Sequence, residues 1–292
     1  MTPADTTLPT TADEVAAAMA RQGYLADHGL ATAILLALRM GRPLLLEGEP
    51  GVGKTEVART LATMLGAELV RLSCYEGIDA AQALYEWDYP RQLLTARAAA
   101  DPGETQVESL YREEFLLERP LLRAIRAGSR AVLLIDEIDR ADDEFEAFLL
   151  EVLGDFSITI PELGTITAPQ PPIVVITSNR TRELHDALGR RCLYHWIDFP
   201  DVDREVEIIR SRAPEVSEGL ARSVAVTTER LREMGLVKAP GAAEAVDWAR
   251  ALNELGATAA SGEEARLTLG WVVKNRDDLD RVSAEADVLL RG

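Results

Sequence analysis

The 292 residues are enough for one large α/β core plus a smaller domain, because a single hydrophobic core seldom grows past about 250 to 300 residues. At 47% hydrophobic and 27% charged, the composition is that of an ordinary soluble globular protein and excludes wholesale disorder. A net charge of -18, from 49 acidic against 31 basic residues, repels a phosphate backbone and disfavours nucleic acid as the main partner, although a ring can carry a basic pore on an acidic body.

Met1 to Thr11 is polar, holds two prolines, and lacks the positive start and apolar run of a secretory signal. No stretch approaches the roughly 18 uninterrupted apolar residues of a membrane span, so a cytoplasmic location is expected. Asp13 to Gln22, with Thr11 as a cap, and Asp27 to Met40, with apolar Ile34, Leu35 and Leu38, predict two short helices before the first strand. Pro43-Leu-Leu-Leu46 is a short apolar run bounded by Pro and Gly, as a buried parallel strand would be. A glycine-rich turn and a helix over Thr55 to Leu65 follow it. Further strands are predicted at Glu68 to Leu72, Ala131 to Ile135 and Ile173 to Thr177, alternating with helical segments. That alternation predicts an α/β fold, a parallel sheet with helices on both faces.

Tyr75 to Leu117, with Trp87 and several tyrosines, is more than a crossover helix needs and reads as an insertion. Phe156-Ser-Ile-Thr-Ile160 and Thr165-Ile-Thr167 alternate around Pro161-Glu-Leu-Gly164, which predicts a β-hairpin. With few apolar side chains for a core, it is expected to be a mobile contact surface. After Phe199-Pro200-Asp201 the chain turns helical and rich in Arg and Glu. Two domains are therefore expected, an α/β core over 1–200 and a smaller α-helical lid over 201–292.

Gly48-Glu49-Pro50-Gly51-Val52-Gly53-Lys54-Thr55 fits G-x-x-x-x-G-K-[ST] between a strand and a helix, the context that marks a phosphate-binding loop. Glycines let backbone N–H groups surround phosphate oxygens where side chains would block the approach, and the helix start adds attraction for anions. Lys54 is expected to reach the β- and γ-phosphates of ATP, and Thr55 to hold Mg²⁺. Val132-Leu-Leu-Ile-Asp136-Glu137 is a buried strand ending in two carboxylates. Asp136 can bind Mg²⁺, directly or through water, while Glu137, pointing the other way, can polarise the attacking water. Asn179 ends the next apolar strand at the same sheet edge, where an amide can orient that water. Arg190 and Arg191 either cap the preceding helix as a surface pair or complete a neighbouring subunit's site by neutralising charge on the transferring phosphoryl group.

The two cysteines, Cys74 and Cys192, and the three histidines are scattered and show no zinc spacing, so no metal but Mg²⁺ is expected.

These motifs, in this order, resemble the AAA+ ATPases. Gly48 to Thr55, the Asp-Glu-Ile-Asp-Arg-Ala run at 136–141, the hairpin before Asn179 and the stretch from Gly189 to Pro200 resemble the MoxR-type group in particular. Leu117-Glu-Arg-Pro-Leu121 and Asp247-Trp-Ala-Arg-Ala251 look like the branch linked to maturation of carbon monoxide dehydrogenase. The resemblance implies a hexameric ring with ATP between protomers and remodelling of a client protein, often beside a von Willebrand factor A domain partner. It also implies Arg191 as the better finger, with Arg190 beside it, and Tyr24 and Leu25 as the segment that cups adenine. The family's second sensor is an arginine early in a lid helix. Here Ala239-Pro-Gly-Ala-Ala243 holds none, and Arg250 is the arginine further along the same helix.

The leading reading is an ATP-driven, chaperone-like remodeller that helps assemble or activate a client, a metalloenzyme by the resemblance. A nucleic-acid motor or loader is the alternative, opposed by the net charge. A P-loop kinase of small molecules is a third, less suited to Asp136-Glu137 with Asn179 and a helical lid.

Overall fold

The computed structural model describes residues 8–98 and 110–290, and its internal contacts divide it into two compact units. The first takes the described parts of Met1–Gln22, Ala26–Glu47 and Thr55–His195; the second takes Gly23–Leu25, Gly48–Lys54 and the described part of Trp196–Gly292.

The first unit opens with helices α1 (Ala12–Ala20) and α2 (His28–Met40). Thr11 accepts a hydrogen bond from the Glu14 amide and Asp27 one from the Leu30 amide, each satisfying a donor that a helix start leaves free. Gly41, left-handed at φ 62°, ends α2. Strand β1 (Leu44–Gly48), helix α3 (Lys54–Leu65) and strand β2 (Glu68–Ser73) follow. Next come α4 (Ala80–Leu84), β3 (Tyr85–Trp87), α5 (Tyr89–Ala98), β4 (Leu116–Glu118) and α6 (Pro120–Ala127), and then β5 (Ala131–Asp136) and α7 (Asp143–Asp155). A hairpin of β6 (Ser157–Ile160) and β7 (Gly164–Thr167) leads to β8 (Ile173–Ser178), α8 (Asp186–Arg191) and β9 (Leu193–Ile197).

Five strands form one sheet in the order β2-β5-β8-β1-β9, and the β2–β5, β5–β8 and β1–β8 pairs are parallel. Every residue of β5 is buried, as a strand covered on both faces requires. Leu133 and Ile135 join Leu45, Leu72, Val174 and Ile176 in one core with α6 and α7. The predicted parallel sheet is therefore present, with β9 as a fifth strand beyond the four expected. The stretch from 75 to 117 holds a separate antiparallel ribbon, β3 with β4, in which Trp87 is buried and packs edge-on against Tyr111 at 5.3 Å. Residues 99–109 of that stretch lie outside the described residues. The hairpin forms as expected, with Ser157 opposite Thr167 and β7 mostly exposed. Ile158 and Ile160 are buried in the main core, so alternate side chains of β6 anchor it.

The second unit is helical: α9 (Val202–Arg212), α10 (Glu218–Glu233), α11 (Ala242–Glu254), α12 (Gly262–Leu267) and α13 (Arg276–Leu289). Its core surrounds Trp248, fully buried, whose indole N–H donates to the Thr268 hydroxyl at 2.8 Å. A buried ion pair joins α10 to α9: Arg232 donates to both carboxylate oxygens of Glu205, at 2.6 and 3.0 Å, and lies over the Phe199 ring. Arg232 Nε also donates to the Pro240 carbonyl at 2.8 Å, fixing the chain just before α11.

Candidate functional site

At the end of β5, in the first unit, Asp136 is the centre of a hydrogen-bonded cluster. It is only 3% exposed. Its Oδ1 accepts from the Thr55 hydroxyl at 3.0 Å and from the Thr177 hydroxyl at 2.6 Å. Its Oδ2 accepts from Arg71 Nε and Nη2 at 3.0 and 2.6 Å. Thr55 and Asp136, the two residues expected to hold Mg²⁺, are thus brought together, and a hydroxyl beside a carboxylate is the oxygen donor set that a hard divalent cation takes. When bound, such an ion would neutralise phosphate charge.

Glu137 leaves the strand in the left-handed region, φ 57° and ψ 50°, a conformation that a residue other than glycine adopts only when its surroundings hold it there. Thr177 supplies the hold, accepting from the Glu137 amide at 2.9 Å. The Glu137 carboxylate accepts from Arg140 Nη1 at 3.0 Å and remains partly exposed.

Asn179 is positioned through Asp139. The buried Asp139 carboxylate accepts from the amides of Asn179 and Thr181, at 3.1 and 2.9 Å, and from the Thr181 hydroxyl at 2.7 Å. Burial by itself would raise the Asp139 pKa, but these donors outweigh it and hold the carboxyl below its ordinary value. Because the folded-state pKa is the lower one, the stabilisation is complete above the unfolded value and is lost as pH falls through the folded value. Asp139→Asn should therefore lower unfolding stability by about 2 to 3 kcal/mol at pH 7. The gap to wild type should close as the pH drops below about 4, read by urea unfolding across a pH series.

The phosphate-loop residues belong to the second unit. Gly51 and Gly53 have φ of 84° and 96°, where a side chain would be strained, and a Cβ at Gly48 would sit 2.3 Å from the Ile197 carbonyl oxygen. Lys54 is buried, its ammonium donating to the Gly48 and Glu49 carbonyls at 2.7 and 2.8 Å. Tyr24 lies beside this loop, its ring edge 3.6 Å from where a Cβ on Gly53 would be. Leu25 lines a cavity with Val206, Glu207, Arg210 and Arg222.

Arg190 and Arg191 end α8. Their carbonyls accept from Arg42, and the Arg191 guanidinium donates to the Leu150 carbonyl near the end of α7, where Gly154 leaves room for it. Arg250 does not offer a free cation: it donates to the Arg212 carbonyl and pairs with Glu215 at 3.3 Å. At the start of α11 it is Glu244 that comes against the loop, its Oε2 3.3 Å from where a Cβ on Gly51 would be. Cys74 and Cys192 are buried, and that burial pushes both thiols up to about 12.

Arg71, Thr177, Thr181, Asp139 and Glu244 are members of these clusters that the sequence motifs did not single out. Only Asp139 carried a signal, as the second acid of Asp136-Glu-Ile-Asp139.

The profile of the AAA domain, dynein-related subfamily, matches residues 43–192, just over half of the chain. The chain belongs to the AAA domain family. As an AAA+ protein with the P-loop NTPase fold it is an ATPase, of a family that typically works as oligomeric rings. This AAA protein is 27% identical to Protein NorQ of Paracoccus denitrificans over 206 residues, 68% of this chain and 63% of that protein. It is 33% identical to Chaperone protein ClpB 2 of Parasynechococcus marenigrum over 135 residues, 45% of this chain and 13% of that protein. A RuvB mutant from Thermotoga maritima is similar in structure, with a TM-score of 0.51 at 20% identity over 93% of this chain and 75% of that one, which shows the P-loop NTPase fold. Among the described residues no helix is long and apolar enough to cross a membrane.

Proposed function

We propose that this AAA+ ATPase is a MoxR-type, chaperone-like remodeller that works as a hexameric ring on a client protein, in the branch that serves carbon monoxide dehydrogenase or a similar metalloenzyme. The observation that carries the hydrolytic part is Asp136 hydrogen-bonded to both Thr55 and Thr177, one strand residue from a Glu137 held in a strained backbone conformation.

In this reading Gly48, Glu49, Pro50, Gly51, Val52 and Gly53 surround the phosphates of ATP with backbone amides. Lys54 takes the β- and γ-phosphates, and Thr55 with Asp136 holds Mg²⁺. Glu137 accepts a proton from the attacking water, Asn179 orients that water, and Tyr24 and Leu25 flank the adenine. Arg191, or Arg190 beside it, serves the neighbouring protomer.

For the remodelling part, the likeness to NorQ and ClpB 2 and the net charge of -18 favour a protein client over nucleic acid. A von Willebrand factor A domain protein is the partner this reading brings with it, and a cytoplasmic location goes with it. The test is the ATPase rate of the assembled protein with added duplex DNA or with a candidate metalloenzyme in its immature form. The client should raise turnover and DNA should leave it unchanged. Stimulation by DNA alone, suppressed by salt as counterion release demands, would replace the remodeller with a nucleic-acid motor.

A further inference from the structure

The start of α11 and the phosphate loop, both in the second unit, meet backbone to backbone. A Cβ built on Gly241 would lie 2.6 Å from both the carbonyl oxygen and the Cα of Gly51, and one built on Gly51 would lie 2.9 Å from the Gly241 Cα. Neither position has room for a side chain. The Ala242 amide donates to the Gly51 carbonyl at 3.2 Å. In a trans peptide the carbonyl of one residue and the N–H of the next point opposite ways, so this bond also sets the direction of the Val52 amide. Arg232, itself anchored by Glu205, holds the Pro240 carbonyl one residue before Gly241.

That clamp brings an acid to a loop built for anions. Glu244 stands in the first turn of α11, and its Oε2 is buried, lies 3.3 Å from where a Cβ on Gly51 would be, and has no hydrogen-bond partner. An acid in a first helical turn commonly bonds back to the cap amide and is favoured by the helix's positive end. Oε2 makes no such bond, so helix capping does not account for where it points. A carboxylate at this place opposes an incoming polyphosphate, and opposes a triphosphate more than a diphosphate because the triphosphate carries more negative charge, a repulsion that a partly buried site screens only weakly.

We propose that Glu244, held in place by the Gly241–Gly51 contact, is the residue that limits nucleotide affinity at this site and discriminates against ATP relative to ADP. The proposal rests on the reading that Gly48 to Thr55 binds ATP. With it, Glu244 keeps nucleotide exchange fast by weakening the bound state, and the clamp makes that weakening depend on where α11 starts.

The experiment is calorimetric titration of the full chain with a non-hydrolysable ATP analogue and with ADP, in the wild type and in Glu244→Gln, which keeps the side chain's shape and removes its charge. The analogue should bind about tenfold more tightly to the variant, about 1.4 kcal/mol, and ADP should gain less. The nucleotide-free melting temperature should not move. Unchanged or weaker analogue binding by the folded variant would overturn the proposal. Absence of binding in wild type and variant alike would overturn the nucleotide assignment beneath it. The clamp is tested with Gly241→Ala, which should uncouple the two elements, so that adding Glu244→Gln no longer tightens binding. A full tightening in the double variant would show that the Gly241 contact does not hold Glu244 in place.

Discussion

Glu137→Gln should bind ATP within about threefold of wild-type affinity and hydrolyse it at least a hundredfold more slowly, a loss of about 2.7 kcal/mol of transition-state stabilisation. The asymmetry follows from what the side chain would act on. A group that takes the proton from water contributes when the water attacks and contributes little to holding the ground-state nucleotide. The substitution preserves the local frame. The backbone at Glu137 is held by the amide bond to Thr177, which a side-chain change leaves intact, and the Gln amide oxygen can still accept from Arg140 as the carboxylate does. Single-turnover hydrolysis beside equilibrium binding separates the two quantities. Turnover within about threefold of wild type, under 1 kcal/mol, would remove Glu137 from the role of base and leave Asp136 and its partners as the place to look.

Much of this arrangement is legible along the chain, for identifiable reasons. The three inner strands, β1, β5 and β8, are short apolar runs, and a strand buried on both faces has to look that way, while β2 at the sheet edge alternates. Strand β9 is less legible because Leu193-Tyr-His-Trp-Ile197 is short and amphipathic, and only Ile197 in it is buried. The β3–β4 ribbon was missed because strands of three residues leave too little pattern to read. The hairpin is legible in its alternation, and two isoleucines on one face of β6 fix that strand to the core.

The site shows the same division. The loop and the acid pair are contiguous motifs whose chemistry is written in neighbouring residues. Arg71 and Thr177 reach Asp136 from 65 and 41 positions away, and Thr181 reaches Asp139 from 42, so the network exists only once β2, β5 and β8 lie side by side. Glu244 was invisible for a different reason. The resemblance implies a cation at the start of the lid helix, and the residue facing the loop there is an anion.

Arg191→Ala and Lys54→Ala should each abolish hydrolysis, and their mixture should restore part of it. Lys54→Ala removes the ammonium that balances the β- and γ-phosphates, so ATP affinity should fall at least a hundredfold, about 2.7 kcal/mol. Arg191→Ala should keep its own pocket and bind ATP normally, because a finger's charge matters most as charge shifts in the transition state. Within one chain Arg191 donates to the Leu150 carbonyl on α7, so serving a neighbour requires exchanging that neutral acceptor for phosphate oxygens. The exchange is favourable, since hydrogen bonds to an ionised acceptor are roughly twice as strong. In a random equimolar mixture about a quarter of interfaces pair an intact loop from one parent with an intact arginine from the other, and recovery should rise with protein concentration as assembly does. Subunit exchange is verified first, by mass or by fluorescence transfer between labelled parents. Mixed rings with no activity above either parent would count against Arg191 acting between subunits, and the same experiment with Arg190→Ala would then ask whether its neighbour does. A monomer that hydrolyses ATP at the full rate would end the shared-site reading, because a side chain that completes a neighbour's site has nothing to complete when there is no neighbour.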